Sequence, residues 1–243
     1  MPHTKPAPKI TYTLRHSKKA RSWRIKITPA AVEIVVPRRA SKHDIESIIN
    51  KKRDWIEKHW RKIQESIPHQ KLIPPARYEH GASVPYRGEL FPLLVELKDI
   101  KKPHVFFSDV AFHISLPLAL PIDEHHLVIK KHIKNWMVEK LRGDIERIFA
   151  EYAPRLGHAP KTYRIKHQRT LWGSCSRRGN ININFGLIYT PYSALEYVTV
   201  HELCHLPHPN HSRAFWNKVE SLLPDYKTPR RWLKDNGYVI GVK

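Results

Sequence analysis

His201-Glu202-Leu203-Cys204-His205 is the stretch that decides how the rest of the chain is organised. On a helix, positions i and i+4 stand one turn apart on the same face. Two imidazoles placed that way can share one metal ion, and the glutamate after the first falls beside water on that ion. The flanking residues predict such a helix. Ser193 and Glu196 have the spacing of a capping box, and Tyr192 and Tyr197 that of a hydrophobic staple. Leu195, Val198 and Leu203 offer apolar contacts, and Pro207 forces a stop near Leu206.

Beyond that stop the chain can turn back and offer a third ligand. His211 lies six residues past His205, just before Ser212, which can cap a helix over 213–223 with Phe215, Val219 and Leu222 on one face. His211 is the preferred third ligand. His208, nearer in sequence, and Glu220, a carboxylate on the next helix, are the alternatives. Three neutral imidazoles suit zinc and leave a position for water. Zinc lowers the pKa of that water, and Glu202 is placed to take its proton as general base.

The 243 residues are 41% hydrophobic, enough for a sizeable core in one or two domains. No period of a repeat protein is present. The N-terminus, MPHTKPAPK, has no apolar segment of a secretory signal. The longest apolar-rich runs, such as Val32–Val36, are far too short to span a bilayer. A soluble cytoplasmic protein without a membrane partner is expected. Two cysteines, Cys175 and Cys204, suit a reducing compartment. A formal charge of +21 favours polyanions, so nucleic acid or a nucleotide is a candidate partner. The charge is spread along the chain and no nucleic-acid motif accompanies it, so an unused basic surface is the alternative.

Residues 9–37 read as short strands, the clearest being Val32–Val36, closed by Pro37. Ser41 can cap a long basic helix with Ile45, Ile48, Ile49, Ile56 and Ile63 on its apolar stripe, and Trp55 and Trp60 packed beside it. Lys51, Lys52, Arg53, Lys58, Arg61 and Lys62 form its wet face, or a phosphate contact. Residues 68–76 read as a connector, 82–97 as a hairpin turning at Tyr86-Arg87-Gly88-Glu89, and 105–116 as one or two further strands. These make a β-rich N-terminal region, 1–120, with one long helix.

The second region, 121–243, opens with a helical stripe of Leu127, Ile133, Trp136, Met137, Leu141, Ile145, Ile148 and Phe149, stopped by Pro154 and Gly157. Strands around Tyr163–Ile165, Leu171-Trp172 and Ile181–Phe185 follow, with a turn at 177–180. Two or three helices close the chain. The expected fold class is α+β.

Trp172-Gly173-Ser174-Cys175-Ser176, Gly179–Asn184, Tyr197-Val198, His201–His205, Asn210-His211-Ser212 and Phe215-Trp216 together resemble the YgjP-like, SprT-related metallopeptidase-domain family. The resemblance covers roughly the last 80 residues closely. It implies a zincin-like core, an active-site helix with a small antiparallel sheet, that hydrolyses protein or peptide. His201, His205 and His211 would be its zinc ligands and Glu202 its base. It also implies that the strand around Ile181–Asn184 borders the cleft, where an extended substrate could pair with its edge. Asn182 and Asn184 then face substrate or, alternatively, solvent. Trp172 reads as a packing residue, and both cysteines as small buried hydrophobes.

Relatives in the wider SprT group are linked to proteolysis of DNA-bound proteins, which the basic charge would suit. Two other functions compete. A metal-dependent nucleoside triphosphate hydrolase lacks the expected Gly-rich phosphate loop. A non-catalytic zinc-containing nucleic-acid-binding module does not explain a glutamate beside an open metal site. Arg169 and Arg213 are the cations near in sequence that could stabilise an oxyanion, and nothing in the sequence separates them.

Overall fold

The computed structural model describes residues 12–17, 23–27, 32–66 and 72–237. The N-terminal stretch through residue 11, the connector from Pro68 to residue 71, and the side chains of Arg61, Lys62 and Ile63 lie outside the described residues. The chain forms two compact units, residues 1–69 and 70–243.

In the first unit β1 (Tyr12–Ser17), β2 (Arg24–Ile27) and β3 (Val32–Pro37) form a sheet in the order β1-β3-β2. The central strand is parallel to β1 and antiparallel to β2. Alternation along β3 sends Val32, Ile34 and Val36 into the core, while Glu33 pairs with Arg15 at 2.9 Å. Ser41 caps α1 (Lys42–Ser66) as expected: its Oγ accepts from the Asp44 amide at 3.1 Å, and Asp44 accepts in return from the Ser41 amide. Ile45, Ile56 and Trp60 close the core. Trp60 is buried as predicted, whereas Trp55 is 43% exposed.

The second unit begins with β4 (Ser83–Tyr86), β5 (Glu89–Lys98), β6 (His104–Phe107) and β7 (Phe112–Pro117), ordered β4-β5-β7-β6. Positive φ at Arg87 and Gly88 makes the predicted hairpin turn of the tight, two-residue kind that matches strand twist. The turn docks on the residues before the HExxH helix. The Arg87 and Gly88 amides donate to the carbonyls of Ile188 and Tyr189, each at 3.0 Å. A Cβ on Gly88 would meet Pro191 at 3.0 Å. Arg87 also pairs with Asp144, a buried carboxylate on α2 (His125–Leu156) that binds Arg147 as well.

The apolar face of α2, from Ile129 through Ile133, Met137, Leu141, Ile145 and Ile148, packs in one core with Leu93, Phe112, Ile114 and Leu116 of the sheet. The division expected near residue 120 therefore falls inside a single core, and the compact units part near residue 70 instead. A sheet with one apolar face needs a covering layer, and α2 is that layer. Leu127 is exposed rather than part of the stripe, and Pro154 sits inside the last turn, which Gly157 ends in a left-handed conformation.

Next come β8 (Thr162–Lys166), β9 (Gly173–Cys175) and β10 (Asn180–Asn184), ordered β8-β10-β9. The sheet expected to be antiparallel is mixed, since β10 is antiparallel to β9 but parallel to β8. Three helices close the chain: α3 (Tyr192–Cys204), α4 (Arg213–Leu222) and α5 (Lys227–Asn236). The fold is α+β. Among the described residues no helix is long and apolar enough to cross a membrane.

Candidate metal centre

The central helix, α3, carries the HExxH residues. Most of its side chains, including Ala194, Leu195, Val198, Val200, Leu203 and Cys204, are buried, as expected for a helix that is apolar all round. The predicted capping box does not form. Pro191 is the N-cap without a side-chain bond, and Glu196 instead accepts from the Tyr152 hydroxyl at 3.0 Å. Tyr197 stacks on Tyr226 rather than serving as a staple. The predicted Ser212 cap does form, accepting from the Phe215 amide at 3.4 Å, and it sets the start of α4 directly after His211.

One turn and the following loop bring His201, His205 and His211 together, with one ring nitrogen from each within 4.8 Å of the others. The Nε2 atoms of His201 and His211 are 3.0 Å apart. Zinc with Zn–N bonds of about 2.0–2.1 Å and tetrahedral angles holds two ligand nitrogens about 3.3 Å apart, so the spacing fits a shared ion. The outer ring nitrogens are engaged elsewhere. His205 Nδ1 lies 3.0 Å from the His208 carbonyl, and His201 Nδ1 lies 3.5 Å from the Tyr197 hydroxyl. Such contacts fix ring orientation and leave Nε2 as the inward donor. Phe215, fully buried, lies against all three rings, with centroids 4.9, 4.5 and 4.8 Å from those of His201, His205 and His211.

The electrostatics keep the site ready for a cation. Burial, then the neighbouring His205, His211 and Arg230, press the His201 pKa down to about 3. Burial also lowers that of His205. Neutral imidazoles are the form that ligates metal. The donor set fits a divalent metal. Neither alternative ligand joins it. His208 contributes only its carbonyl, and Glu220 pairs with Lys227 at 3.3 Å.

Glu202 is 6% exposed, and burial lifts its pKa to about 8. Among the described residues no hydrogen-bond donor of the protein reaches its carboxyl. It lines a cavity of about 300 Å³ with His201, Tyr197, Val198, Trp172 and Gly173 on one side and Arg230, Leu233 and Lys234 of α5 on the other. Trp172, read as a packing residue, both packs on the core and faces this cavity. Arg169 and Arg213 do not line it. Arg230, distant in sequence, does.

The strand bordering the site is β9, not β10. β10 is paired on both sides, so it has no edge to offer. β9 pairs only with β10 among the described residues, and Gly173 at its start adjoins Glu202. Asn182 and Asn184 of β10 support β9 and the chain leading into it rather than facing substrate or solvent. Asn184 is buried, donates to the carbonyls of Gln168 and Leu171 at 2.7 Å, and accepts from the Gly186 amide. Asn182 donates to Ser174 Oγ at 3.0 Å. Cys204 is fully buried, and Cys175 half-buried. Burial pushes their thiols up to about 12 and about 11, Cys175 being raised further by the nearby Glu202. Protonated thiols are poor metal ligands.

No curated protein matches the sequence. Among solved structures, the metallopeptidase zymogen of Pyrococcus abyssi abylysin is 24% identical over 37% of this chain and 92% of its own, with a TM-score of 0.34. The model of the YgjP-like, metallopeptidase domain matches residues 21–236, which takes in both compact units, the histidine cluster and Glu202, and the chain belongs to that family.

Proposed function

We propose that this chain is a zinc-dependent peptidase with His201, His205 and His211 as metal ligands and Glu202 as general base. The observation that carries this reading is the convergence of three imidazoles beside a buried carboxyl without a protein partner. Three nitrogen donors suit zinc and leave a coordination position open. Zinc held there would supply Lewis acidity, which makes water nucleophilic near neutral pH and polarises a carbonyl oxygen.

The remaining work falls to the chain itself. Glu202 accepts a proton at its carboxylate and passes it to the leaving amine. The His208 carbonyl and Tyr197 hydroxyl hold the ligand rings in place. The open side of β9 offers backbone groups with which an extended peptide can pair, next to Glu202. Phe215 lies against all three rings, and Trp216 stacks on His211. The charge of +21 supports action near nucleic acid, and two free cysteines support a cytoplasmic setting.

The test is proteolysis of casein by zinc-loaded wild type and Glu202→Gln, with and without single-stranded DNA. Wild type cleaves, and the variant retains zinc but loses roughly 10²–10⁴ in rate. Full turnover by the zinc-loaded variant removes Glu202 from its role. Phosphate release from nucleotides with casein left intact replaces the peptidase reading altogether.

A further inference from the structure

The cavity beside Glu202 contains more positive charge than the metal site needs. Arg230 and Lys234 are four residues apart on α5, so both project to the same side of that helix, and both line the cavity. Neither has an acidic partner among the described residues, whereas their neighbours do: Lys227 pairs with Glu220 and Arg231 with Asp235. Arg230 lies over the Trp216 ring with its guanidinium carbon 4.5 Å from the centroid, which holds the head group in place without neutralising it.

Arg230 is also not the counter-ion of Glu202. Among the described residues no ion pair or hydrogen bond joins the two. Apart from His201 and Glu202, the rest of the lining is largely apolar: Trp172, Val198 and Leu233 form walls suited to a short methylene stem. A pocket with apolar walls and two unpaired cations in its lining is complementary to a carboxylate on a short aliphatic arm.

We propose that this cavity is a specificity subsite for a substrate carboxylate, with Arg230 and Lys234 as the residues that select it. The proposal rests on the peptidase reading for its place in a reaction, but not for its binding chemistry. An Asp or Glu side chain and a free peptide C-terminus present the same group, and the experiment separates them.

Metal-free wild type is titrated with otherwise identical peptides bearing Glu, Gln or Lys at one position and an amidated C-terminus, and with the Gln peptide bearing a free C-terminus. The same peptides are then offered to the zinc-loaded protein and cleavage is recorded. The Glu peptide should bind about fivefold or more tighter than the Gln peptide, with Lys weakest, as expected for a charge-assisted Arg–carboxylate contact. Arg230→Glu should reverse that order, and Arg230→Glu with Lys234→Glu should reverse it further. Lys101→Glu, an exposed loop residue of the same unit, should leave it unchanged and so control for the overall positive charge. Tighter binding of the free C-terminus than of the Glu side chain assigns the subsite to chain ends, and the converse assigns it to acidic side chains.

Equal affinities for Glu, Gln and Lys, an order untouched by Arg230→Glu, or no peptide binding at all overturns the proposal. Charge-selective binding without cleavage would leave the subsite standing while the peptidase reading falls. Cleavage without charge selectivity would do the opposite.

Discussion

Gly173 and Glu202 are in such close contact that a side chain on the first would displace the second. A Cβ at Gly173 would lie 2.7 Å from both Cγ and Oε1 of Glu202, well inside van der Waals distance. The glycine therefore lets the backbone of the edge strand β9 run directly over the carboxyl. Gly173→Ala should turn Glu202 away from the histidines without touching a ligand. Peptidase activity should fall by roughly 10²-fold, the order expected when a catalytic group is misplaced by about 1 Å. Zinc content, measured by atomic absorption, should stay at one per chain. Unchanged activity would show that Glu202 need not sit where it does.

His208 and His211 make opposite predictions. Only the carbonyl of His208 is used, whereas the ring of His211 is 3.0 Å from that of His201. In competition with a chromophoric chelator, His208→Ala should bind zinc about as tightly as wild type. His211→Ala should weaken binding by more than the roughly 10–100-fold typical of losing a group that merely orients a ligand. Glu220→Gln, which loses only an exposed pairing with Lys227, should bind zinc normally.

Phe215 links the fold to the site. It is fully buried and in ring contact with all three histidines. Phe215→Ala should cost about 3–5 kcal/mol of stability through the cavity it leaves. Zinc affinity should fall as well, because the rings lose the wall that aligns them. Denaturant unfolding of the metal-free variant, followed by zinc titration, separates the two effects.

The metal-free protein should have a stability that varies with pH on both sides of neutrality. Glu202 has a folded-state pKa raised by burial to about 8, above the ordinary 4.5. Its contribution is present at low pH and is lost as pH rises from the unfolded value through about 8. His201 is the reverse case. Its pKa is lowered to about 3 from 6.5, so stability is lost as pH falls through that window. Melting temperatures of metal-free Glu202→Gln should lack the decline between about pH 5 and 8 that wild type shows. Identical profiles for the two proteins would show that the carboxyl is not desolvated.

Local signals read correctly where local chemistry decides. The HExxH spacing, the Ser41 and Ser212 caps, and the Tyr86–Glu89 turn each depend on residues within one or two turns of chain, and each appears as expected. The capping box at Ser193 fails because α3 already starts after Pro191, and Glu196 accepts from Tyr152 of another helix instead. Alternating Ile and Asn in β10 cannot distinguish an edge from a centre, since that depends on β8, which pairs on its other side. Arg230 carries no local signal as a site residue, because only the packing of α3 against α5 brings it to the cavity. The division placed near residue 120 marks a change from strands to helix, and α2 lies in one core with the residues on both sides of it.

Whether the three histidines hold zinc is read by X-ray absorption at the zinc edge on the zinc-loaded protein. One zinc per chain is expected, with three nitrogen ligands and one oxygen at about 2.0 Å, and loss of one nitrogen in His211→Ala. A sulfur ligand at about 2.3 Å, or a first shell unchanged by His211→Ala, would contradict it.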